Sequence, residues 1–148
     1  MNTMQIDKKL DIVEGFLGVF PYDQIPPKPD SEMFSLIINI DPSTLPGEHW
    51  TVLLYKGNRF YFFESYGRDF KDATFPKLFS AKIKEYISNS RYKYNTMWLQ
   101  PLTTNTCGDF CVYFIEEMAK NTFKNVMSVF STNLLKNDRF VMQYVEKL

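Results

Sequence analysis

Gly57-Asn58 stands between two runs of aliphatic and aromatic residues, 50–56 and 59–66, and constrains the chain more than any other pair. Glycine and asparagine tolerate the positive φ angles that a two-residue hairpin turn requires. In such a hairpin Lys56 faces Arg59, and counting outward puts His49 opposite Tyr66 and Glu64 opposite Thr51. His49 and Glu64 then point to one face as diagonal neighbours, whose Cα atoms sit ~7–8 Å apart, within reach of an imidazole and a carboxylate. A four-residue loop on the same turn keeps that parity. A three-residue loop would put the two side chains on opposite faces.

Residues 4–17 place Ile6, Leu10, Val13 and Leu17 three or four apart, which predicts an amphipathic helix weakened near its end by Gly15. Four of the eight prolines fall within residues 20–30. They exclude a regular helix or central strand there and predict an extended surface linker. Residues 34–40 have strand composition, as do the two arms of the hairpin. Residues 77–88 bring Leu78, Phe79, Ile83, Tyr86 and Ile87 to one side of a helix, and 92–99 returns to strand composition, ending just before Gln100 and Pro101. From Cys107 onward, Phe110, Cys111, Phe114, Ile115 and Met118 form a stripe with Glu116, Glu117 and Lys120 off it, so a helix begins at or near Cys107. Two more helical stretches follow, the last with Phe140, Val141, Tyr144, Val145 and Leu148 in register and Asn137 or Asp138 as N-cap. The expected fold class is α+β, a small mixed sheet with helices packed around it, in one domain over residues 1–148.

With 45% hydrophobic and 17% aromatic residues, a chain of 148 can fill one substantial core. Seventeen basic residues balance seventeen acidic ones, so overall charge singles out neither nucleic acid, membrane surface nor a strongly acidic substrate. The first twenty residues carry Asp7, Lys8, Lys9, Asp11 and Glu14 and lack the apolar stretch of a secretory signal; no run elsewhere could span a bilayer. The two cysteines, Cys107 and Cys111, lie one helical turn apart, a poor geometry for a disulfide. The expectation is a soluble, intracellular monomer without membrane association.

A glutamate accepting one ring N–H of His49 would fix the tautomer and leave the other nitrogen to take a proton. The alternative is that His49 closes a turn and Glu64 is a solvated charge at a strand end. At a helix N-terminus, Cys107 would have its thiol pKa lowered by the free N–H groups there. Gly108 would leave the approach to the sulfur open, and Thr103-Thr104-Asn105-Thr106 would cap the helix. The same local pattern fits a buried structural thiol, and Cys111, one turn deeper, reads as a core residue. One histidine and two cysteines spaced Cys-x3-Cys fall short of a closed zinc site, and the sequence requires no cofactor. Gln100, seven residues before Cys107, could fold back as an amide donor to a developing oxyanion, or be an exposed amide at a strand end. If Cys107 is catalytic, His49 is the only histidine available as its base.

Taken together, Gly47-Glu48-His49-Trp50, Phe63-Glu64-Ser65-Tyr66-Gly67, Gln100 and Cys107-Gly108-Asp109-Phe110-Cys111 resemble, in order and spacing, the adenovirus maturation protease family, the adenains. The likeness extends upstream to Phe16-Leu17-Gly18 with Tyr22-Asp23; residues 119–148 carry no motif of that family. It implies a Cys-His-Glu thiol protease of the clan that includes the ubiquitin-like-protein proteases, with the nucleophile opening a central helix. Carried over by position, Cys107 attacks the scissile carbonyl, His49 serves as base and then acid, and Glu64 holds the imidazole. Gln100 and the Cys107 N–H stabilise the oxyanion. Trp50 would form a wall of the substrate cleft, or else be a core tryptophan.

Family members cleave viral capsid and core precursors near small residues, typically glycine. The resemblance thus implies viral structural precursors as protein substrates, and the virion or viral assembly site as the place of action. Adenain takes a peptide activator through a cysteine upstream of its oxyanion glutamine, whereas no cysteine precedes Cys107 here. It is also stimulated by DNA through a basic surface, whereas the formal charge here is zero. The first alternative keeps the chemistry and changes the substrate to a ubiquitin-like modifier on host proteins. The second is a catalytically inactive virion structural relative.

Overall fold

The computed structural model describes residues 1–45 and 49–148. Its elements are α1 (Thr3–Leu10), β1 (Phe16–Pro21), β2 (Met33–Asn39), β3 (Trp50–Lys56), β4 (Arg59–Phe63), α2 (Lys77–Ile87), β5 (Tyr92–Tyr94), α3 (Cys107–Met118), α4 (Phe123–Met127) and α5 (Leu134–Glu146). The strands form one mixed sheet in the order β1-β2-β3-β4-β5, parallel at its two margins and antiparallel in the centre. The α+β class expected from the sequence is the one observed.

The hairpin sets the centre of that sheet. Gly57 and Asn58 both have φ of 60°, the paired positive angles of a type I′ turn. Lys56 accordingly faces Arg59, and the ladder runs out to Val52 opposite Phe63. Side chains alternate across the pleat. Val52, Leu54 and Phe63 enter a core shared with α1, α3 and α5, while Leu53, Phe60 and Phe62 join Phe34, Leu36 and Ile38 in a second core closed by Phe79, Ile83 and Ile87 of α2. Both faces of the sheet are therefore buried, which explains why its central strands read as nearly continuous apolar runs.

Helix α3 lies along β3 and runs in the same direction. At one end the Cys111 thiol donates to the Trp50 carbonyl at 3.5 Å. At the other, the Lys56 ammonium donates to the carbonyls of Met118 and Asn121 at 2.6 and 2.9 Å. Seven strand residues and twelve helical residues both cover roughly 20 Å, so the two elements match in length. The lysine also satisfies carbonyls left open at the helix C-terminus, where the dipole favours a cation.

The chain departs from the sequence reading in its margins. The expected helix over 4–17 ends at Leu10, and Gly15, at φ 78°, turns the chain into β1, a fifth strand paired parallel to β2. A Cβ at Gly15 would lie 2.5 Å from the Met33 carbonyl oxygen, so only glycine allows this approach. Ile6, Leu10 and Val13 do face the α3 core, but Leu17 packs on the opposite side of the sheet. The first part of the expected linker over 20–30 is instead the end of β1 and a 3-10 turn, Tyr22–Gln24. Pro21 fits there because β1 is an edge strand. The expected strand 92–99 shrinks to three residues, because the Asn95 side chain bonds to the Glu64 carbonyl at 3.0 Å and to Met97. Helix α5 starts earlier than expected: Asn133 is the N-cap, accepting from Lys136 N–H, and Asn137 and Asp138 lie buried inside the helix. Leu78 and Leu148, expected on apolar stripes, are exposed. Among the described residues no helix is long and apolar enough to cross a membrane.

Replacing Lys56 with methionine keeps its aliphatic stem and leaves two carbonyls without their cation. The expected cost is roughly 1.5–3 kcal/mol of stability, the range for hydrogen bonds to charged groups, measured as a lower urea midpoint with an unchanged denaturant slope.

Candidate active site

His49 and Glu64 lie just beyond the last paired residues of the hairpin. The backbone of His49 is held by Ile40, whose N–H donates to the His49 carbonyl at 3.1 Å. Glu64 opens a reverse turn closed by Gly67 N–H to the Glu64 carbonyl at 3.0 Å. Gly67 has φ 77°, and a Cβ there would come within 2.6 Å of the Met97 carbonyl oxygen. Parity continues through these ends as counted from the turn: His49 Nε2 and Glu64 Oε2 are 2.8 Å apart. The reading of Glu64 as a solvated strand-end charge does not hold, since its side chain has no solvent exposure.

Such burial requires partners for every lone pair. Arg68 provides them, donating from its backbone N–H and Nε to Oε1 at 3.0 and 3.3 Å and from Nη2 to Oε2 at 3.0 Å. The guanidinium packs 4.1 Å from the Phe75 ring centroid. On its other side Tyr66 lies between arginine and histidine, its ring stacked on His49 at 5.2 Å and 15°. The hairpin register that sets Tyr66 opposite His49 was the one sequence signal for this stacking. Arg68 had none, because it acts from irregular backbone.

Cys107 is the first residue of α3, as expected, and its thiol is hydrogen-bonded to the His49 ring. With Nε2 engaged by Glu64, Nδ1 is left for the sulfur. Burial alone would push the His49 pKa down, but the Cys107 and Glu64 side chains outweigh it and push it up to about 9. Burial likewise opposes the Cys107 thiolate, yet the His49 hydrogen bond and charge hold the thiol pKa below its ordinary value. Burial would raise Glu64, and its bonds to His49 and Arg68 hold it low. All three shifts point to an imidazolium between a thiolate and a carboxylate. Cys111 is the opposite case: burial drives its pKa well up, in keeping with a core thiol.

Two expectations for the helix start change. Thr106 is the N-cap, but its hydroxyl makes no capping bond and donates instead to Asp138. Gly108 serves packing: a Cβ there would lie 2.9 and 3.0 Å from Trp50 ring carbons and 3.3 Å from Ile6. Trp50 is half-buried, with its ring on Gly108 and a share in a cavity of about 340 Å³ lined also by Val19, Phe20, Asn39 and Leu45. It is thus both core and cavity wall.

Gln100 does not end a strand and is not exposed; it sits in the loop after β5, 1% accessible. Its Nε2 donates to the Thr104 carbonyl at 2.8 Å and its Oε1 accepts from the Ser65 hydroxyl at 2.6 Å. A carbonyl can only accept, so this pair of contacts fixes which way the amide faces. The structure joins His49, Glu64 and Cys107 directly, and ties Gln100 to the residues that lead into Cys107. Gly47 and Glu48, at the front of the Gly-Glu-His-Trp motif, lie outside the described residues.

No family model matches the chain, and no curated protein matches it. Solved structures do. The ASFV pS273R protease aligns at TM-score 0.59 and 14% identity, over 95% of this chain and 65% of that one. ChlaDub1 from Chlamydia trachomatis aligns at 0.54 and 12%, over 79% of this chain and 59% of that one. The central domain of an uncharacterized Legionella pneumophila protein, Lpg1148, aligns at 0.54 and 12%, over 99% and 94%. The chain therefore spans less than two thirds of the length of the first two. At these identities the likeness establishes the fold, and it is the fold that the adenain resemblance implies.

The raised His49 pKa contributes stability that is complete below its unfolded value of 6.5 and lost as pH rises through about 9. The lowered Cys107 pKa contributes stability present above the unfolded value and lost as pH falls through the folded one. Both shifts favour the charged form of their group, the imidazolium and the thiolate. Iodoacetamide should therefore alkylate Cys107 and spare Cys111 at pH 7, read by peptide mapping, and in His49→Ala the onset of Cys107 alkylation should move to higher pH.

Proposed function

We propose that the chain is a cysteine-type endopeptidase. The observation that carries this is the imidazole of His49, bonded on one side to buried Glu64 and on the other to a thiol at a helix N-terminus. The Cys107 sulfur adds to the scissile carbonyl carbon, and the carbonyl oxygen takes the negative charge. The Cys107 backbone N–H and the Gln100 amide are the donors assigned to that oxyanion. His49 passes its Nδ1 proton to the leaving amine as the carbon–nitrogen bond breaks, leaving a thioester. It then takes a proton from water, whose oxygen attacks the thioester and frees the sulfur.

Cys107 is 6% exposed, so a polypeptide must reach it as an extended strand with small side chains at the bond. That accords with cleavage beside glycine, as the adenain resemblance implies, and viral capsid or core precursors are the substrate class we assign. The place of action assigned with them is the virion or viral assembly site. In this scheme neither a linked peptide nor DNA is needed, and added duplex DNA should leave the rate unchanged. The second reading, a peptidase for ubiquitin-like modifiers, draws on the fold shared with ChlaDub1.

Sequencing the new termini of precursor proteins exposed to wild type and to Cys107→Ala tests the proposal. Cleavage beside small residues by wild type alone is expected; turnover of ubiquitin-type fluorogenic substrates alone would select the second reading. Gln100→Ala should lower kcat by about 10²–10³ with KM little changed, as for loss of one oxyanion donor.

A further inference from the structure

Residues 119–148 share no motif with the adenains, yet helix α5 grips the loop that joins Gln100 to Cys107. Asn137 and Asp138 are adjacent, so their side chains leave the helix about 100° apart and reach two points, one just before that loop and one in its second half. Asn137 Nδ2 donates to the Leu99 carbonyl at 3.2 Å, one residue before Gln100, and its Oδ1 accepts from Ser131 N–H at 3.0 Å. Asp138 Oδ1 accepts from the Thr104 hydroxyl at 3.1 Å and from the Thr106 hydroxyl. Thr104 is also the residue whose carbonyl receives the Gln100 amide. Asp138 itself is 8% exposed.

The other holds on the loop's second half are internal to it: the Thr104 hydroxyl also lies 3.3 Å from the Pro101 carbonyl and 3.2 Å from the Thr106 hydroxyl, and the Gln100 amide bonds the Thr104 carbonyl. The loop's internal backbone contact, Thr104 N–H to the Pro101 carbonyl, is 3.5 Å long, and Leu102 is exposed. Helix α5, by contrast, is fastened to α3, the helix that begins with Cys107. Val141 and Val145 are buried in the shared core, and Phe140 and Tyr144 meet the Tyr113 ring edge-on at 5.3 and 4.9 Å. Nucleophile and amide donor are thus referred to one rigid frame: α3 carries the first, and α5, packed on α3, holds the loop of the second.

We propose that Asp138 is a positioning residue of the active site, its carboxylate binding Thr104 and Thr106 so that the Gln100 amide and the Cys107 N–H converge on one oxyanion position. The inference rests on the peptidase reading above. A carboxylate suits the task because one ionised oxygen takes two hydroxyl donors more strongly than a neutral acceptor would. The Cys107 thiol takes its hydrogen bond from His49, which the Asp138 clamp does not touch.

The test is steady-state hydrolysis of a peptide ending in Gly-Gly-7-amido-4-methylcoumarin, together with iodoacetamide alkylation of Cys107 at pH 7. Asp138→Ala should lower kcat by about tenfold or more with KM within about threefold, as a misplaced catalytic group does. Its alkylation rate should stay within about twofold of wild type, and Asp138→Asn should recover part of kcat. Combined with Gln100→Ala, it should lose clearly less than the product of the two single losses, because part of the Asp138 effect runs through the Gln100 amide. Thr106→Val, which keeps side-chain shape and leaves α5 untouched, should lower kcat in the same way and decides the matter if Asp138→Ala does not fold. The proposal is overturned if folded Asp138→Ala or Thr106→Val keeps the wild-type kcat, if the Asp138 and Gln100 losses multiply in full, or if alkylation falls in step with kcat. A wild type that neither hydrolyses the peptide nor alkylates preferentially at Cys107 would instead overturn the peptidase reading, and the clamp with it.

Discussion

A carboxylate with no access to solvent holds the candidate site in place. Glu64 is stable there as an anion because its oxygens accept from His49 and from three donors of Arg68. Removing such partners from a buried charge is costly, so the imidazole and the guanidinium are kept where they are. The arrangement propagates outward: Arg68 rests on Phe75, Tyr66 stacks between Arg68 and His49, and His49 can then offer only its other nitrogen to Cys107. Orientation of the imidazole is a by-product of solvating one acid with protein groups.

The rest of the fold brings a helix to that anion at the right height. β3 and α3 run side by side in the same direction, tied by Lys56 at one end and by Trp50, over Gly108, at the other. Sliding the helix by one turn would bring a different side chain to His49 and strip Lys56 from its carbonyls. Burial of the sheet on both faces resists that slip, since each core interlocks with alternate side chains of the same strands.

The hairpin, α2, the start of α3 and the pairing of His49 with Glu64 were all legible in the sequence. Each depends on contacts near in sequence or on a period that one element imposes, and a type I′ turn with Gly-Asn leaves only one register that keeps His49 and Glu64 together. The edges were less legible. Ile6, Leu10, Val13 and Leu17 satisfy a helical period, but Gly15 and the open edge of β2 capture Phe16 onward as a strand. Asn95 bonding to the Glu64 carbonyl ends β5 early, a decision taken by a residue thirty-one positions away.

By itself, then, the sequence determined which side chains could do chemistry and which of them share a face: one histidine, one glutamate across a Gly-Asn turn, and a cysteine opening an apolar helix. Only the tertiary structure decided that Glu64 is buried, that Arg68 and Tyr66 complete its surroundings, that Gly108 makes room for Trp50, and that Asp138 of the last helix takes the hydroxyl expected to cap α3. The division has one physical cause. Periodicity and turn preference are local properties of the backbone, whereas the partners of a buried polar group are chosen by whichever donors the packed chain brings within about 3 Å.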